Sequence, residues 1–495
     1  MFASARVIIW ATSRVSKGAR ANQPKAGDME SRTVRTPRFW RPAARVVRVK
    51  GRHKGSPWTI GVSGVVFGFM ALILAGTVLL SLPASRIPGQ PLNILDSFFT
   101  STSAVCLVGL VVRDTATYWS TFGEGVILAL IQLSGLGIMI STTLILVILR
   151  RPVSFRDTFD IYELSSKGGI RRVSNLVWLT LFVTFFLELL GAVALWFRFR
   201  HVYPDADAWW SAAFHSVSAF NNAGFDITGK FSSLMPFSHD PVLLGVIALL
   251  IVAGGISVLV LADMAVKRSW RKLTPNSRIV LLGTLVLLVI GFGGFLLSEY
   301  GNSKTLGSFS TQDKLSNSLF QSVTTRTAGF NSIPIADMED QGLFLSMALM
   351  FIGAATGSTA GGIKIGTFAV LVLSTWAAVK GYRHASAFGW RFSHRLVYRA
   401  LAIAALSAAV IFLGTLVLTI TEEFAFSHLL FEVVSAFGTV GLTAGVTPDL
   451  SIVGKLTIIV IMFIGRLGPL TLAYVLAQSA RERSYDLPEN DIAIG

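Results

Sequence analysis

Two kinds of apolar segment alternate along most of the chain, and their lengths predict different elements. The long segments have the length of helices that cross a hydrocarbon core about 30 Å thick. Eight are present, at residues 58–82, 123–149, 174–199, 241–266, 278–299, 342–379, 396–421 and 452–478. The short segments form rods of roughly 18 Å, which enter a bilayer without crossing it. They occupy residues 92–104, 208–219, 313–324 and 425–437.

Each short segment runs into a glycine at the point where its helical pattern stops. These glycines, 115, 105 and 112 residues apart, are Gly109, Gly224, Gly329 and Gly441. The regular spacing indicates an internal repeat. Non-helical backbone at membrane depth is tolerated only where it is buried in protein or lines a water-filled cavity. We therefore predict an all-α polytopic membrane protein with four repeats of helix, re-entrant pore loop and helix around a pseudo-fourfold pore.

Eight spanning helices would place both ends of the chain on one side of the membrane, and the basic residues indicate which side. They cluster before residue 58 and in alternate connections, at 150–172, 267–278, 380–399 and 481–483. By the positive-inside rule, these regions and both termini are cytoplasmic. The predicted divisions are a basic, disordered N-terminal tail (1–57), repeats at 58–149, 150–266, 267–379 and 380–478, and a C-terminal tail (479–495).

The composition agrees with a membrane protein and excludes several other classes. Of the 495 residues, 52% are hydrophobic and 14% are charged, whereas charged residues make up about a quarter of a typical soluble domain. The net charge of +16 would suit nucleic acid, but its clustering in alternate connections predicts contact with the lipid bilayer instead. A single cysteine, Cys106, excludes an internal disulfide and a multi-cysteine metal site.

The sixth long segment, residues 342–379, would make a helix of about 57 Å, nearly twice the hydrocarbon thickness. Glycine costs roughly 1 kcal/mol per helical position relative to alanine, and the middle of this segment is rich in glycine. We predict an unwound, intramembrane gating loop formed by Gly353, Ala354, Ala355, Thr356, Gly357, Ser358, Thr359, Ala360, Gly361, Gly362 and Lys364. The alternative is a continuous helix that packs closely through small residues.

A second intramembrane cation, Arg466, lies in the middle of the last long segment. A charge at that depth faces a cavity or a hydrogen-bonding partner. We predict that its guanidinium contacts carbonyl groups of the gating loop and fixes that loop in place.

Four pore loops around one axis would supply rings of backbone carbonyls, the groups that replace the hydration shell of a potassium ion. The C-terminal ends of the short helices would add roughly half a negative charge each. We predict a selectivity filter that binds potassium through backbone carbonyls only. Its residues are Val105, Cys106, Leu107, Val108, Gly109, Phe220, Asn221, Asn222, Ala223, Gly224, Thr325, Arg326, Thr327, Ala328, Gly329, Phe437, Gly438, Thr439, Val440 and Gly441.

Three motifs together resemble the Trk/Ktr/HKT superfamily of potassium transporters over residues 58–478. They are the glycine-rich run Gly357–Lys364, the filter Thr325–Phe330 and the segment Gly465–Pro469. The chain is most similar to the KtrB branch, because the basic tail stands where TrkH has an extra pair of spanning helices. The resemblance implies potassium uptake across a bacterial cytoplasmic membrane, sodium-stimulated in many Ktr systems.

The resemblance also implies partners. They are a second copy of the chain, in a homodimer with one pore per subunit, and a cytoplasmic KtrA-type ring that binds the regulatory nucleotide. It implies no cofactor in this chain. In plant relatives, a serine at the first filter glycine accompanies sodium transport, so the four filter glycines of this chain favour potassium.

Other functions remain as alternatives. One is a sodium or non-selective monovalent cation transporter of the same fold. An intramembrane hydrolase would need a catalytic dyad or a metal-ligand pair such as His-Glu-x-x-His, whereas His215 is better interpreted as a packed side chain. A proton-coupled carrier would need several acidic residues deep in the spans, and Glu188 stands largely alone. We therefore predict a transporter and not an enzyme.

Overall fold

Helices make up most of the molecule. The computed structural model describes residues 5–8, 46–49, 57–149 and 168–468. Its helices are α1 (Pro57–Leu80), α2 (Ile94–Cys106), α3 (Thr115–Tyr118), α4 (Thr121–Leu149), α5 (Gly168–Phe199), α6 (Asp205–Phe220), α7 (Pro241–Gly255), α8 (Val258–Lys267), α9 (Pro275–Glu299), α10 (Thr311–Thr324), α11 (Asp340–Phe351), α12 (Ile365–Val379), α13 (His394–Thr421), α14 (Phe426–Gly438) and α15 (Ile452–Leu467).

Four described helices are long and apolar enough to cross a membrane, within Thr121–Ile140, Val177–Phe199, Pro275–Glu299 and His394–Thr421. The bent pair α7–α8 makes a fifth when it is counted as one span. Shorter apolar helices include Gly64–Leu80 in α1, and α11, α12 and α14. The chain is therefore a helical membrane protein, and the count of eight crossings stays a prediction.

Two predicted spans are interrupted. The segment predicted as one helix over 241–266 bends by 93° between α7 and α8. Gly255 ends α7, and the Ser257 hydroxyl caps α8 by accepting a hydrogen bond from Leu259 N. The segment 342–379 breaks into α11 and α12, and residues 352–364 between them are not helical. Glycines at both breaks lower the cost of leaving the helix.

The last predicted span, 452–478, also differs from the helix that the structure describes. Helix α15 ends at Leu467, and Gly468 follows with a φ of 84°. Positive φ favours glycine, and Pro469 disfavours helical backbone in the residue before it. The remainder of the predicted span and the C-terminal tail lie outside the described residues, as do the connection 150–167 and most of the N-terminal tail.

The segment predicted as a disordered tail contains two described strands. Ala5–Ile8 (β1) and Val46–Val49 (β2) pair antiparallel, with Ala5 opposite Val49. Both are rich in β-branched residues, which favour extended backbone. A second small hairpin joins α12 to α13, where Ser386–Ala387 (β3) pairs with Trp390–Arg391 (β4).

Each of the helices α2, α6, α10 and α14, called here the short helices, packs against the long helix that precedes it. In three repeats a serine hydroxyl of the short helix donates to a carbonyl of the long helix, at 2.6–2.8 Å. The pairs are Ser101 with Ile73, Ser216 with Glu188 and Ser322 with Leu288. Three residues after each carbonyl is a glycine, and a Cβ atom on it would collide with that serine. In the fourth repeat Val433 packs against Gly414 instead.

Helix α9 offers a matched test of this packing. We expect Gly291→Ala to lower the thermal stability of the purified protein, because the new methyl would lie against Ser322 and 2.9 Å from Leu349 Cδ1. Gly293 lies two residues away with open space around it, so Gly293→Ala should keep stability or raise it by up to about 1 kcal/mol. Equal melting temperatures for the two variants would contradict close helix packing at Gly291.

Candidate functional site

The four short helices end in the same unusual backbone conformation. It lies in the predicted filter runs 105–109, 220–224, 325–329 and 437–441, which are called segments one to four below. Residues with left-handed φ follow the helices, namely Leu107 (52°), Asn222 (53°), Thr327 (71°) and Thr439 (51°). Two residues later in each segment comes a glycine with positive φ, at 92° for Gly109, 69° for Gly224, 86° for Gly329 and 93° for Gly441. Non-glycine residues adopt left-handed φ rarely. Because this rare conformation occurs at the same place in all four segments, we interpret it as part of a functional site.

The four glycines form a closed ring. A Cβ atom placed on any of them would lie less than 3.0 Å from a carbonyl oxygen of the next segment. Gly109 faces the oxygen of Ala223, Gly224 that of Ala328, Gly329 that of Val440 and Gly441 that of Val108. The order runs from the first segment to the fourth and back to the first. These four residues are called the glycine ring below, and their backbones approach too closely for any side chain.

Hydroxyl groups hold the segments in two different ways. Ser103 and Ser435 accept hydrogen bonds from the amides of Gly109 and Gly441, each at 3.1 Å. In the second segment Ser218 donates to the Phe225 carbonyl at 2.7 Å, and in the third Thr324 donates to the Phe330 carbonyl at 2.6 Å.

The third segment differs from the prediction in detail. Thr325, predicted to lie in the filter, lies at the end of α10, and its hydroxyl donates to Gln321 and Ser322 carbonyls. Arg326 is buried, and its side chain reaches the Thr284 and Gly353 carbonyls at 3.3 Å each. All twenty predicted filter residues are nevertheless buried, and each lies in one of the four segments that lead to a ring glycine.

The non-helical residues 352–364, called the central loop, lie against two opposite members of the ring. The Thr359 hydroxyl donates to the Asn222 side-chain oxygen at 3.2 Å. A Cβ atom on Gly361 would collide with the Thr439 side chain, and one on Gly362 would lie 3.5 Å from the Gly438 α-carbon. Segments two and four occupy opposite corners of a four-membered ring. Residues 359–361 therefore pass across the ring on one side of it.

Backbone hydrogen bonds give the central loop a defined shape. Gly353 N donates to the Ile363 carbonyl at 2.9 Å, and Ile365 N donates to the Ala354 carbonyl at 3.1 Å. Ala355 N donates to the Gly255 carbonyl at the bend between α7 and α8, at 3.2 Å. Among the other predicted loop residues, Thr356 is exposed, Gly357 has a φ of 85°, and the Ser358 hydroxyl donates to the Ala355 carbonyl.

Two cations bind the part of the loop that crosses the ring. Arg466 Nη1 donates to the Thr359 carbonyl. Lys364 Nζ donates to the carbonyls of Ala360 and Gly361, the latter at 3.3 Å. Hydrogen bonds from charged donors are stronger than neutral ones, most of all away from water. The crossing residues are therefore fixed by charge as well as by packing.

Comparisons with known proteins agree with this architecture. The family described as TrkH, cation transport protein, matches residues 59–484. Ktr system potassium uptake protein B of Bacillus subtilis is 38% identical over 431 residues, which cover 87% of this chain and 96% of that protein. Potassium/sodium uptake protein NtpJ of Enterococcus hirae is 37% identical over 91% of this chain and 100% of its own. The chain belongs to the TrkH/Ktr family of cation transport proteins. The predictions of this family and of a transporter in place of an enzyme are confirmed.

The fold of this TrkH/Ktr protein matches a solved structure of the same family. The crystal structure of the potassium transporter TrkH from Vibrio parahaemolyticus superposes with a TM-score of 0.69, at 21% sequence identity. The match covers 86% of this chain and 87% of that one.

Some residues that support the glycine ring were not predicted. Glu432, fully buried in α14, accepts hydrogen bonds from the Thr443 hydroxyl, from Ala444 N at 3.1 Å and from the Thr447 hydroxyl at 2.7 Å. It thereby holds the residues that follow Gly441. The available signal was a carboxylate in a short helix that is otherwise largely apolar.

Glu188 and His215 also acquire defined roles in packing. Glu188 accepts from Gln132 Nε2 at 3.0 Å and from Asn221 Nδ2 at 2.9 Å, behind the second segment. The His215 ring lies among Phe199, Phe214 and Phe330, with centroid distances of 5.3–6.2 Å. No group of three His, Cys, Asp or Glu residues that could hold a metal occurs within the described ranges.

Proposed function

We propose that this protein takes up potassium ions through the glycine ring, across a bacterial cytoplasmic membrane. The observation that carries the proposal is the closure of the ring, in which each glycine faces a carbonyl of the next segment. Only backbone atoms fit at this radius, and carbonyl oxygens are the ligands that replace the water around a potassium ion. The names of the relatives as potassium uptake proteins support the same substrate.

The short helices assist the ion in this proposal. All four point their C-terminal ends at the glycine ring, and a helix C-terminus carries roughly half a negative charge. The predicted filter residues, from Val105–Gly109 in the first segment to Phe437–Gly441 in the fourth, would bind the ion through backbone carbonyls.

The proposed topology has eight crossings and both termini in the cytoplasm. It counts the bent pair α7–α8 as one span and α11 with α12 as another, and each of these pairs is interrupted at glycines. The positive-inside distribution of basic residues supports it. Under this topology, the central loop lies on the cytoplasmic side of the ring.

The central loop acts as the gate in this proposal. Thr359, Ala360 and Gly361 cross between two opposite segments, and a continuous chain in that position would obstruct an ion on the axis. The Lys364 ammonium and the Arg466 guanidinium add positive charge beside the same path. Opening would require the loop to leave Asn222 and Thr439, together with a loss of the charged hydrogen bonds.

A second candidate is transport of sodium, or of both ions. The residues two positions before the ring glycines are unlike one another, being Leu107, Asn222, Thr327 and Thr439. Unequal flanks make the four carbonyl sets unequal, which weakens discrimination between the two ions. One relative is itself named a potassium/sodium uptake protein.

Partners complete the proposal. Relatives named as members of a Ktr system support a cytoplasmic regulatory subunit, and we propose a KtrA-type ring that binds nucleotide. We also propose a homodimer in which each subunit contains its own pore.

The proposed function is tested by rubidium influx into proteoliposomes that contain the purified protein. We expect an influx that is driven by an outward potassium gradient. External potassium should block it strongly and sodium weakly. Equal block by both ions would favour the second candidate. No influx, with or without a KtrA-type ring, would contradict both.

Gly109→Ser tests the glycine ring. The new side chain would lie 2.6 Å from the Ala223 carbonyl oxygen, so we expect a lower preference for potassium over sodium in competition with rubidium influx. Gly89 has the same φ of 92° and nothing within 4 Å, and Gly89→Ser therefore reproduces the backbone cost of about 1–2 kcal/mol without the crowding. Unchanged sodium competition in Gly109→Ser, or an equal change in Gly89→Ser, would count against the ring as a filter.

Deletion of residues 355–362 tests the gate. The residues that the deletion joins, Ala354 and Ile363, belong to chain segments that are already paired, since Gly353 N donates to the Ile363 carbonyl. We expect rubidium influx that is fast and independent of a regulatory partner. Loss of influx by a variant that still elutes as a monodisperse protein would show that the loop is needed for conduction and is not a gate.

A further inference from the structure

A linear chain of four repeats must close on itself to make the glycine ring. The first three junctions join repeats that follow one another in the sequence, whereas the junction between the fourth repeat and the first is formed by non-covalent contacts alone. This inference rests on the proposed function, in which the ring forms the pore. The geometry of the last junction then affects the geometry of the pore. A buried ion pair lies there.

The ion pair is centred on Asp96, which is fully buried in the first turn of α2. Its Oδ1 lies 3.0 Å from Lys455 Nζ on α15, and its Oδ2 lies 2.8 Å from Arg113 Nε. The Lys455 side chain is 11% exposed and that of Arg113 is 43% exposed. One carboxylate therefore connects two cations from different parts of the chain, 359 residues apart in the case of Lys455.

These three residues surround the first segment of the ring. Helix α2 begins beside Asp96 and ends at Cys106, directly before Leu107 and Gly109. Arg113 lies four residues after Gly109. Asp96 thus fixes both the start of the helix that leads to the ring and the chain that leaves it. Lys455 anchors both to the last repeat.

Other junctions use weaker versions of the same contact. Between the first and second repeats, Glu124 Oε2 on α4 accepts from Trp210 Nε1 on α6 at 2.6 Å. Glu124 and Lys455 are each the fourth residue of their helix. Between the second and third repeats, Asn317 Nδ2 on α10 donates to the Ser238 carbonyl at 2.8 Å. His239 Nδ1 of the second repeat also lies 2.9 Å from Asp313 Oδ2 on α10, in an exposed contact that is an ion pair only when the histidine is protonated. The junction without a chain connection has permanent charges on both partners and a fully buried carboxylate.

We propose that Asp96 and Lys455 are positioning residues that close the glycine ring, and that the selectivity of the pore between potassium and sodium depends on this pair. Removal of Asp96 leaves the buried Lys455 ammonium without its counter-ion, and removal of Lys455 leaves the buried carboxylate with the half-exposed Arg113 alone. A buried charge that loses a partner is strongly unfavourable. The junction then relaxes, and α2 moves together with the first segment. Because each ring glycine faces a carbonyl of its neighbour, a shift of one segment changes the spacing at two of the four contacts.

The test compares Lys455→Met, Lys455→Arg and Asp96→Asn with Glu124→Gln in the full chain. Each variant is measured for melting temperature and for a selectivity ratio, the sodium concentration that halves rubidium influx divided by the corresponding potassium concentration. We expect Lys455→Met and Asp96→Asn to lower this ratio severalfold, and Lys455→Arg to restore it. Glu124→Gln should lower the melting temperature and leave the ratio unchanged.

A wild-type ratio in Lys455→Met would overturn the proposal, and so would an equal fall of the ratio in Glu124→Gln. If the single variants do not fold, Asp96→Asn/Lys455→Met is measured instead, because it leaves neither of these two charges without its partner. This double variant is expected to fold with a lowered ratio, and a wild-type ratio would again overturn the role. Absence of rubidium influx in the wild-type protein would overturn the proposed function itself, which separates the two failures.

Discussion

The structure depends on the close approach of four backbone segments at a place where no side chain fits. Each ring glycine faces a carbonyl oxygen of its neighbour at a distance that a Cβ atom cannot share. Backbone in this conformation has lost its helical hydrogen bonds, so other groups must satisfy it inside the protein. Ser103, Ser218, Thr324 and Ser435 do so at the four segments. Glycine–serine contacts behind three of the short helices, and the contact of Gly414 with Val433 behind α14, then hold the four segments close to one another.

The central loop also has non-helical backbone inside the protein, and charged side chains supply its hydrogen bonds. Its residues 359–361 have carbonyls that no helix satisfies, and Arg466 and Lys364 donate to them. Hydrogen bonds from charged donors are stronger than neutral ones, so these few contacts hold the loop across the ring. The break between α7 and α8 serves the loop as well, because it frees the Gly255 carbonyl for Ala355 N.

Much of this architecture could be predicted from the sequence, because it repeats. The short apolar segments, the regular glycines and the unwound stretch after residue 352 all follow from length and composition. The role of Thr324 in place of Thr325 could not, because Thr324 lies five residues before its ring glycine, whereas Ser103, Ser218 and Ser435 lie six residues before theirs. Nor could the Asp96–Lys455 pair, since a contact across 359 residues leaves no local pattern. The 93° bend between α7 and α8 was missed because hydropathy records only the continuous apolar character of residues 241–266.

The two arrangements of hydroxyl groups divide the ring into halves. In segments one and four the hydroxyl accepts from a glycine amide, whereas in segments two and three it donates to the carbonyl that follows the glycine. Segments one and four are neighbours, as are two and three. An ion level with Phe225 and Phe330 would therefore share their oxygens with hydroxyl protons on one side only. In the proposed pore, the ring would have the outline of a fourfold site and the electrostatics of a two-sided one, so that an ion there would be held off-centre and released more readily than from a symmetric cage.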